Sequence, residues 1–324
     1  MSIAKISSVV DHQLEAFHPY FREQMRTDVP LLNLVIRYIL RQRGKRVRPT
    51  LVFLSAELCG GTTNRTFVGA SMVELLHTAT LVHDDVVDDA GERRGMPSIN
   101  ALWKNKASVL VGDYLLSRGL HIAVDKEEFA FLKATSKAVQ RMSEGELLQM
   151  QKSRQLNIDE ETYFKIIGDK TASLISTCCE IGSRSATHDA QSIDNITRFG
   201  ELVGLAFQIR DDLLDYVSRT NLIGKPYAND LKEKKITLPL IHALRSASKS
   251  EAKSILGMIK KGNLQSADIA FIMSFVKQQG GIEYAQGKSV ALIEEAIQLL
   301  EIFPESAYKT ALTDFAHFVI ERAS

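Results

Sequence analysis

The sequence predicts an all-α protein, a single large helical bundle around a central active-site cavity. Three observations predict it. Apolar residues recur at three- and four-residue spacing along nearly all of the 324 residues, and alternating strand patterns are missing. The breaks between these runs are short, as in bundles of antiparallel neighbours. Two runs, Phe67–Val87 and Leu202–Val217, are apolar almost all round, the pattern of helices at a bundle's centre, and each carries a cluster of aspartates.

Taken in order, Ile3, Ile6, Val10, Leu14 and Phe17 mark a first amphipathic helix. After the break at Thr27-Asp28-Val29-Pro30, a second follows with Leu31, Leu34, Val35, Tyr38 and Ile39. A basic loop, Gly44-Lys45-Arg46-Val47-Arg48-Pro49, stands at the next junction, and Cys59-Gly60-Gly61 closes the helix after it. The first central helix ends before Arg94-Gly95-Met96-Pro97. Helices are predicted over Asn105–Leu120 and Glu127–Gln149, and Lys170-Thr171 falls mid-helix. The second central helix stops before Gly224-Lys225-Pro226. Gly280-Gly281 and Phe303-Pro304 separate the last helices, which carry Leu292, Ile293, Ala296, Leu299 and Leu300, then Leu312, Phe315, Phe318 and Val319. No linker, low-complexity segment or short repeat interrupts the series, so residues 1–324 read as one domain.

Composition excludes several classes. At 45% hydrophobic and 24% charged residues the chain is ordinary globular material. Lys+Arg number 40 against 39 Asp+Glu, a net charge of +1 with no polybasic tail, which gives no case for nucleic acid. Cys59, Cys178 and Cys179 show neither zinc spacing nor a disulfide framework and fit a reducing cytoplasm. The first residues lack the apolar core of a signal peptide, and no run reaches the about 18 apolar residues of a membrane span.

The chemistry is concentrated in two D-D-x-x-D clusters. The first is Asp84, Asp85 and Asp88, followed by Asp89; the second is Asp211, Asp212 and Asp215. At about 3.6 residues per turn, the first and last aspartate of each share a helix face, where two carboxylates repel unless a cation joins them. Mg²⁺ suits such a face, because it takes one or two carboxylates and completes its shell with water and phosphate oxygens. One cluster alone could be a solvated helix end or a cap, and neither has the spacing of a calcium loop. Two clusters on facing helices would make a cavity with two acidic walls, fit for Mg²⁺ and a diphosphate. Cations complete the set: Lys45, Arg48, Arg93, Arg94, Lys170, Lys225 and Lys235. Each alone would read as a solvated surface charge; together they are what diphosphate oxygens need.

These motifs stand in the order GKRVRP, HTATLVHDDVVDDAGERRG, GDYLLSR, EGELLQ, KTA, FQIRDDLLDY and GKPYANDLKEKKITLP. From about Leu31 to the C-terminus the chain resembles the trans-isoprenyl diphosphate synthases, and most of all the long-chain, octaprenyl-type polyprenyl synthases. The resemblance implies the isoprenoid synthase fold and a Mg²⁺-dependent prenyltransferase that condenses isopentenyl diphosphate with an allylic diphosphate. It implies roughly two or three Mg²⁺ ions per site, with Asp84, Asp88 and Asp211 as direct ligands. Asp85, Asp212 and Asp215 would support them or bind metal through water. Arg93, Lys170, Gln208, Lys225 and Lys235 would hold the allylic diphosphate, with Thr171 beside Lys170 at the leaving group. Lys45, Arg48, His77 and Arg94 would form a metal-free pocket for isopentenyl diphosphate; from the residues alone, His77 reads better as a satisfied core histidine. The released diphosphate would serve as base. Two departures touch the loops: Arg43 stands where relatives often have a glycine before Gly44, and Pro226 follows Lys225 in an altered PYAND stretch.

Product length should depend on Thr80 and Ala79, four and five residues before Asp84, where short-chain relatives place an aromatic plug. A turn of helix rises about 5.4 Å, near one isoprene unit, so small residues there leave the tunnel open. The expected product is long, for quinone side chains, with Met72, Leu76 or the helix Asn105–Leu120 as floor. Geranylgeranyl or farnesyl diphosphate is the alternative if that helix closes the tunnel early. A terpene cyclase would carry a different second motif and lack the Lys45–Arg48 loop. A non-catalytic subunit of a heteromeric synthase would have eroded aspartates, and a ligand-free helical protein would leave both clusters unexplained. The family pattern implies a cytoplasmic homodimer, joined through helices such as Ala107–Leu120 and Glu127–Gln149, with no membrane anchor.

Overall fold

A computed structural model of the chain describes residues 2–42, 46–217 and 229–321. The all-α expectation holds. The helices are α1 (Ile3–Ser7), α2 (Asp11–Gln24), α3 (Pro30–Arg41), α4 (Val47–Leu58), α5 (Asn64–Val87), α6 (Ile99–Asp125), α7 (Phe129–Gln155), α8 (Glu160–Ile167), α9 (Ser173–Ala186) and α10 (Ala190–Val217). They continue with α11 (Asn229–Lys232), α12 (Leu238–Ser246), α13 (Lys249–Lys261), α14 (Ser266–Gln278), α15 (Gly281–Leu299) and α16 (Ala307–Glu321). Their starts follow local chemistry. Pro30 opens α3 at its first position, where the missing N–H is no loss. Ser248 and Glu251 cap α13 reciprocally, and Gly262 at φ +70° ends it.

Two compact units emerge. One gathers the described residues of Met1–Val139, Leu174–Thr197 and Leu300–Phe315; the other gathers those of Gln140–Ser173, Arg198–Leu299 and Ala316–Ser324. In the first unit, Tyr20, Phe67, Phe53 and Phe17 form a chain of aromatic contacts with ring centroids 5.2–5.8 Å apart. Two glycines set its close packing. A Cβ at Gly182 of α9 would strike the Val52 carbonyl of α4, and one at Gly69 of α5 would strike Ile181. The second unit packs Ile209, Leu213 and Tyr216 of α10 with Leu238, Ile272 and Phe275.

Three local departures from plain helix shape the site. Residues read from sequence as a simple break form a two-stranded ladder, β1 (Glu92–Arg93) against β2 (Met96–Pro97). Its two-residue turn is Arg94-Gly95, at φ +56° and +73°, the double positive φ that a tight hairpin needs. The helix α6 breaks at Lys104 (φ 65°, ψ 167°), so its regular part begins at Asn105. Between α8 and α9 lies a π-helical turn, Gly168–Ala172, which carries Lys170-Thr171. Among the described residues no helix is long and apolar enough to cross a membrane.

Candidate active site

In the first unit, α5 carries the first cluster to its C-terminal end. Asp88 caps the helix, its N–H bonding the Asp84 carbonyl at 2.8 Å. Asp84 and Asp88 are exposed, one turn apart, while Asp85 between them is turned inward and 3% exposed. The hairpin brings Arg93 back onto Asp85, with two guanidinium nitrogens on one carboxylate oxygen at 2.5 and 2.7 Å. Asp85 is thereby a partner of Arg93, while Asp84 and Asp88 stand exposed at the helix end. Two carboxylates at the open end of a helix fit the donor set of Mg²⁺.

Beside this helix end lies a cavity of about 1170 Å³. Arg48, His77, Asp85, Arg93 and Arg94 line it together, joined by Arg46, Gln42 and Glu74. Lys45, which was expected here, lies outside the described residues, as does Lys225. Two lining residues carry buried donors without a partner among the described residues: Nε of Arg48 and Nε2 of Gln42. Unsatisfied buried donors are costly, so the cavity is chemically set for an anionic ligand. His77 is neutral. Burial, helped by Arg48, Arg94 and Arg93, pushes its pKa down to about 2. Glu74 is the residue the motifs did not reveal. Burial pushes its carboxyl upward, while Arg48, Arg94 and Arg46 pull it down. Its signal was available, since Glu74 and His77 are three residues apart on one face of α5. Ala79 and Thr80 lie among α5 residues that do not line this cavity: Ala79 is buried and the Thr80 hydroxyl donates to the His77 carbonyl at 2.9 Å.

In the second unit, α10 carries Gln208, Asp211, Asp212 and Asp215. Asp212 is buried, and neutral donors hold it: Tyr163 OH at 2.6 Å and Gln208 Nε2 at 2.8 Å. Burial, with Asp230 adding to it, pushes the Asp212 pKa up to about 7. The Gln208 amide oxygen in turn accepts from the Thr171 hydroxyl at 2.8 Å. One chain of hydrogen bonds therefore runs from the π turn through Gln208 to Asp212. Asp215 accepts the backbone N–H groups of Asn229 and Asp230 at 3.3 and 2.9 Å, tying down α11. Lys170 pairs with Glu146 at 2.5 Å and donates to Gln149 at 3.1 Å; Lys235 pairs with Glu233 at 2.5 Å. Both lysines also act on Asp230, whose pKa burial raises to about 6. Among the described residues no three His, Cys, Asp or Glu side chains converge into a ready metal cage.

Comparison with known proteins decides the family. The polyprenyl synthetase model matches residues 29–276. The chain belongs to the polyprenyl synthetase family. It is 36% identical over 318 residues to the all-trans-nonaprenyl-diphosphate synthase (geranyl-diphosphate specific) of Rhodobacter capsulatus, covering 98% of this chain and 97% of that one. Among solved structures, a decaprenyl diphosphate synthase from Rhodobacter capsulatus superimposes with a TM-score of 0.92 at 32% identity over 100% of both chains. A geranylgeranyl pyrophosphate synthase from Bacteroides thetaiotaomicron gives 0.82 at 36% identity over 98% of both. This polyprenyl synthetase is accordingly a prenyltransferase with the isoprenoid synthase fold. Its D-D-x-x-D clusters and basic motifs all fall within the matched span. Tyr163 bonds Asp212 and Arg141 bonds Asp169 beside Lys170, and no motif marked them, because these contacts span 49 and 28 residues.

Proposed function

We propose that this polyprenyl synthetase makes long all-trans polyprenyl diphosphates by successive head-to-tail condensation of isopentenyl diphosphate onto an allylic diphosphate. The observation that carries the reading is the cavity of the first unit, where Arg48, Arg93, Arg94 and neutral His77 meet buried donors that have no partner among the described residues, beside the exposed Asp84 and Asp88. Asp84, Asp88 and Asp211 would hold Mg²⁺, which would supply Lewis-acid neutralisation of charge on the allylic diphosphate. Lys170, Thr171, Lys225 and Lys235 bind that group's remaining oxygens, with Gln208 holding Thr171 in place. Arg48, Arg94 and Lys45 bind isopentenyl diphosphate without metal, and His77 contributes a neutral ring. Apolar walls keep water from the allylic cation. The double bond of isopentenyl diphosphate is the nucleophile, and the proton lost at the end of each cycle passes to diphosphate, so the chain needs neither a side-chain nucleophile nor a side-chain base.

Long-chain relatives and the small side chains at Ala79 and Thr80 support a long product. Similarity to the geranylgeranyl synthase supports the shorter alternative. A homodimer is supported by apolar residues left exposed on α6, Leu102, Val109, Leu110, Leu120 and Val124, and on α7, Phe129. The three unpaired thiols agree with a cytoplasmic enzyme. The test is release of inorganic diphosphate from isopentenyl diphosphate with geranyl, farnesyl or geranylgeranyl diphosphate. Release that needs Mg²⁺ and stops with a chelator is expected. Folded protein that elongates none of the three primers would instead make the chain a partner subunit of a heteromeric synthase.

A further inference from the structure

The π turn that displays Lys170 and Thr171 is anchored by Arg141 and Asp169, which no motif contains. Asp169, the residue before Lys170, is 6% exposed. Its carboxylate receives Arg141 Nε from α7 at 2.7 Å on one oxygen and Lys165 Nζ from α8 at 2.8 Å on the other. Arg141 is fixed from its far side by Glu201 of α10 at 3.2 Å. The Asp169 carbonyl accepts the Ser173 hydroxyl at 2.6 Å. Two glycines make room for the turn. A Cβ at Gly145 of α7 would lie 2.9 Å from Asp169 Cβ and 3.0 Å from Lys170 N; one at Gly204 of α10 would lie 2.6 Å from Ala172 Cα.

One face of α7 therefore governs the turn. Arg141, Gly145 and Gln149 recur every fourth residue, with Glu146 beside them. Arg141 anchors the carboxylate before Lys170, Gly145 lets the backbone approach, and Glu146 and Gln149 hold the Lys170 ammonium. A π turn is a local departure from the i→i−4 ladder and persists only where its surroundings fix it. The anchored carboxylate belongs to the residue before Lys170 and is engaged by Arg141 and Lys165.

We infer that Arg141 and Asp169 are positioning residues that hold the π turn so that Lys170 and Thr171 meet the allylic diphosphate. The inference rests on the role proposed above for Lys170. Losing the anchor lets the turn relax toward plain helix, and a displacement of about 1 Å at a reacting group can cost on the order of a hundredfold.

The test is steady-state kinetics of Arg141→Met, Arg141→Lys, Asp169→Asn and the Arg141→Met/Asp169→Asn double variant, with Lys170→Ala alongside. The KM for the allylic diphosphate should rise about tenfold and kcat should fall about tenfold in Arg141→Met, with the KM for isopentenyl diphosphate within about twofold. Arg141→Lys should restore part of the loss, and the double variant should be no worse than Arg141→Met alone. Equal changes in both KM values, or none in either, would overturn the inference. If Lys170→Ala raises the allylic KM while Arg141→Met does not, the anchor fails and the role of Lys170 stands. If Lys170→Ala leaves the allylic KM unchanged, that role fails and the inference with it. Helix content by circular dichroism identifies a variant that has failed to fold; Arg141→Lys, which keeps the charge, then carries the KM comparison.

Discussion

The ends of α5 and α10 carry the same D-D-x-x-D spacing and stabilise it in different ways. On α5 the inward aspartate, Asp85, is held by a cation, the Arg93 guanidinium. On α10 the equivalent Asp212 is held by neutral donors, Tyr163 and Gln208, and its pKa stays raised to about 7. The outer aspartates differ too. Asp88 caps its helix in the open, whereas Asp215 is occupied with backbone amides of α11. The difference teaches that the motif's spacing fixes which carboxylates share a face, and that the fold decides what neutralises the one turned inward. A charged partner couples the first cluster to the cavity, since Arg93 lines it. A neutral chain couples the second cluster to the π turn.

The largest effect should come from the direct ligands. Asp84→Asn and Asp211→Asn should each lower turnover by roughly a hundredfold or more at saturating Mg²⁺, read as diphosphate release. A variant that keeps near-full turnover would show that its cluster is not needed for the reaction, and the comparison would then be one between a site and a structural motif. Arg93→Met comes next. It leaves Asp85 buried without its charge partner, which should cost about 2–3 kcal/mol of stability in denaturant unfolding, discounted for the partial exposure of Arg93, and should raise the KM for the allylic diphosphate. Unchanged stability would mean that Asp85 is solvated after all.

The buried His77 allows a pH test on the first unit. Its folded pKa of about 2 lies far below the about 6.5 of an unfolded histidine. Below about 6.5 the unfolded chain takes up a proton that the folded chain refuses, so stability falls as pH drops. His77→Gln removes that contribution. Its loss of unfolding free energy between pH 7 and 5 should be smaller than the parent's by as much as about 2 kcal/mol; parallel pH profiles would contradict a buried neutral ring. The smallest effect should be Tyr163→Phe, which deletes one neutral hydrogen bond to Asp212. It should cost about 1 kcal/mol, less than Arg93→Met. A larger loss than that of Arg93→Met would reverse the contrast between the two clusters.

How much of this was legible depends on range. The helices followed from apolar periodicity, and the central runs ending in aspartates pointed to α5 and α10. Arg93 lies eight residues after Asp85, close enough for a hairpin to return it, though the turn itself was hidden because arginine rarely takes the positive φ seen at Arg94. Tyr163 lies 49 residues before Asp212, and Arg141 lies 28 before Asp169. No local pattern announces contacts of that span. The π turn looked like ordinary helix because its cause, clearance at Gly145 and Gly204, lies on other helices.

Product length is the most direct test of the central claim, that the small residues Ala79 and Thr80 let this chain extend an allylic primer through many cycles. The purified protein would be incubated with labelled isopentenyl diphosphate, Mg²⁺ and geranyl, farnesyl or geranylgeranyl diphosphate, and the dephosphorylated products sized. A ladder ending at hexaprenyl or longer products is predicted. A sharp stop at geranylgeranyl diphosphate would contradict it and place the closure of the tunnel above Ala79 and Thr80.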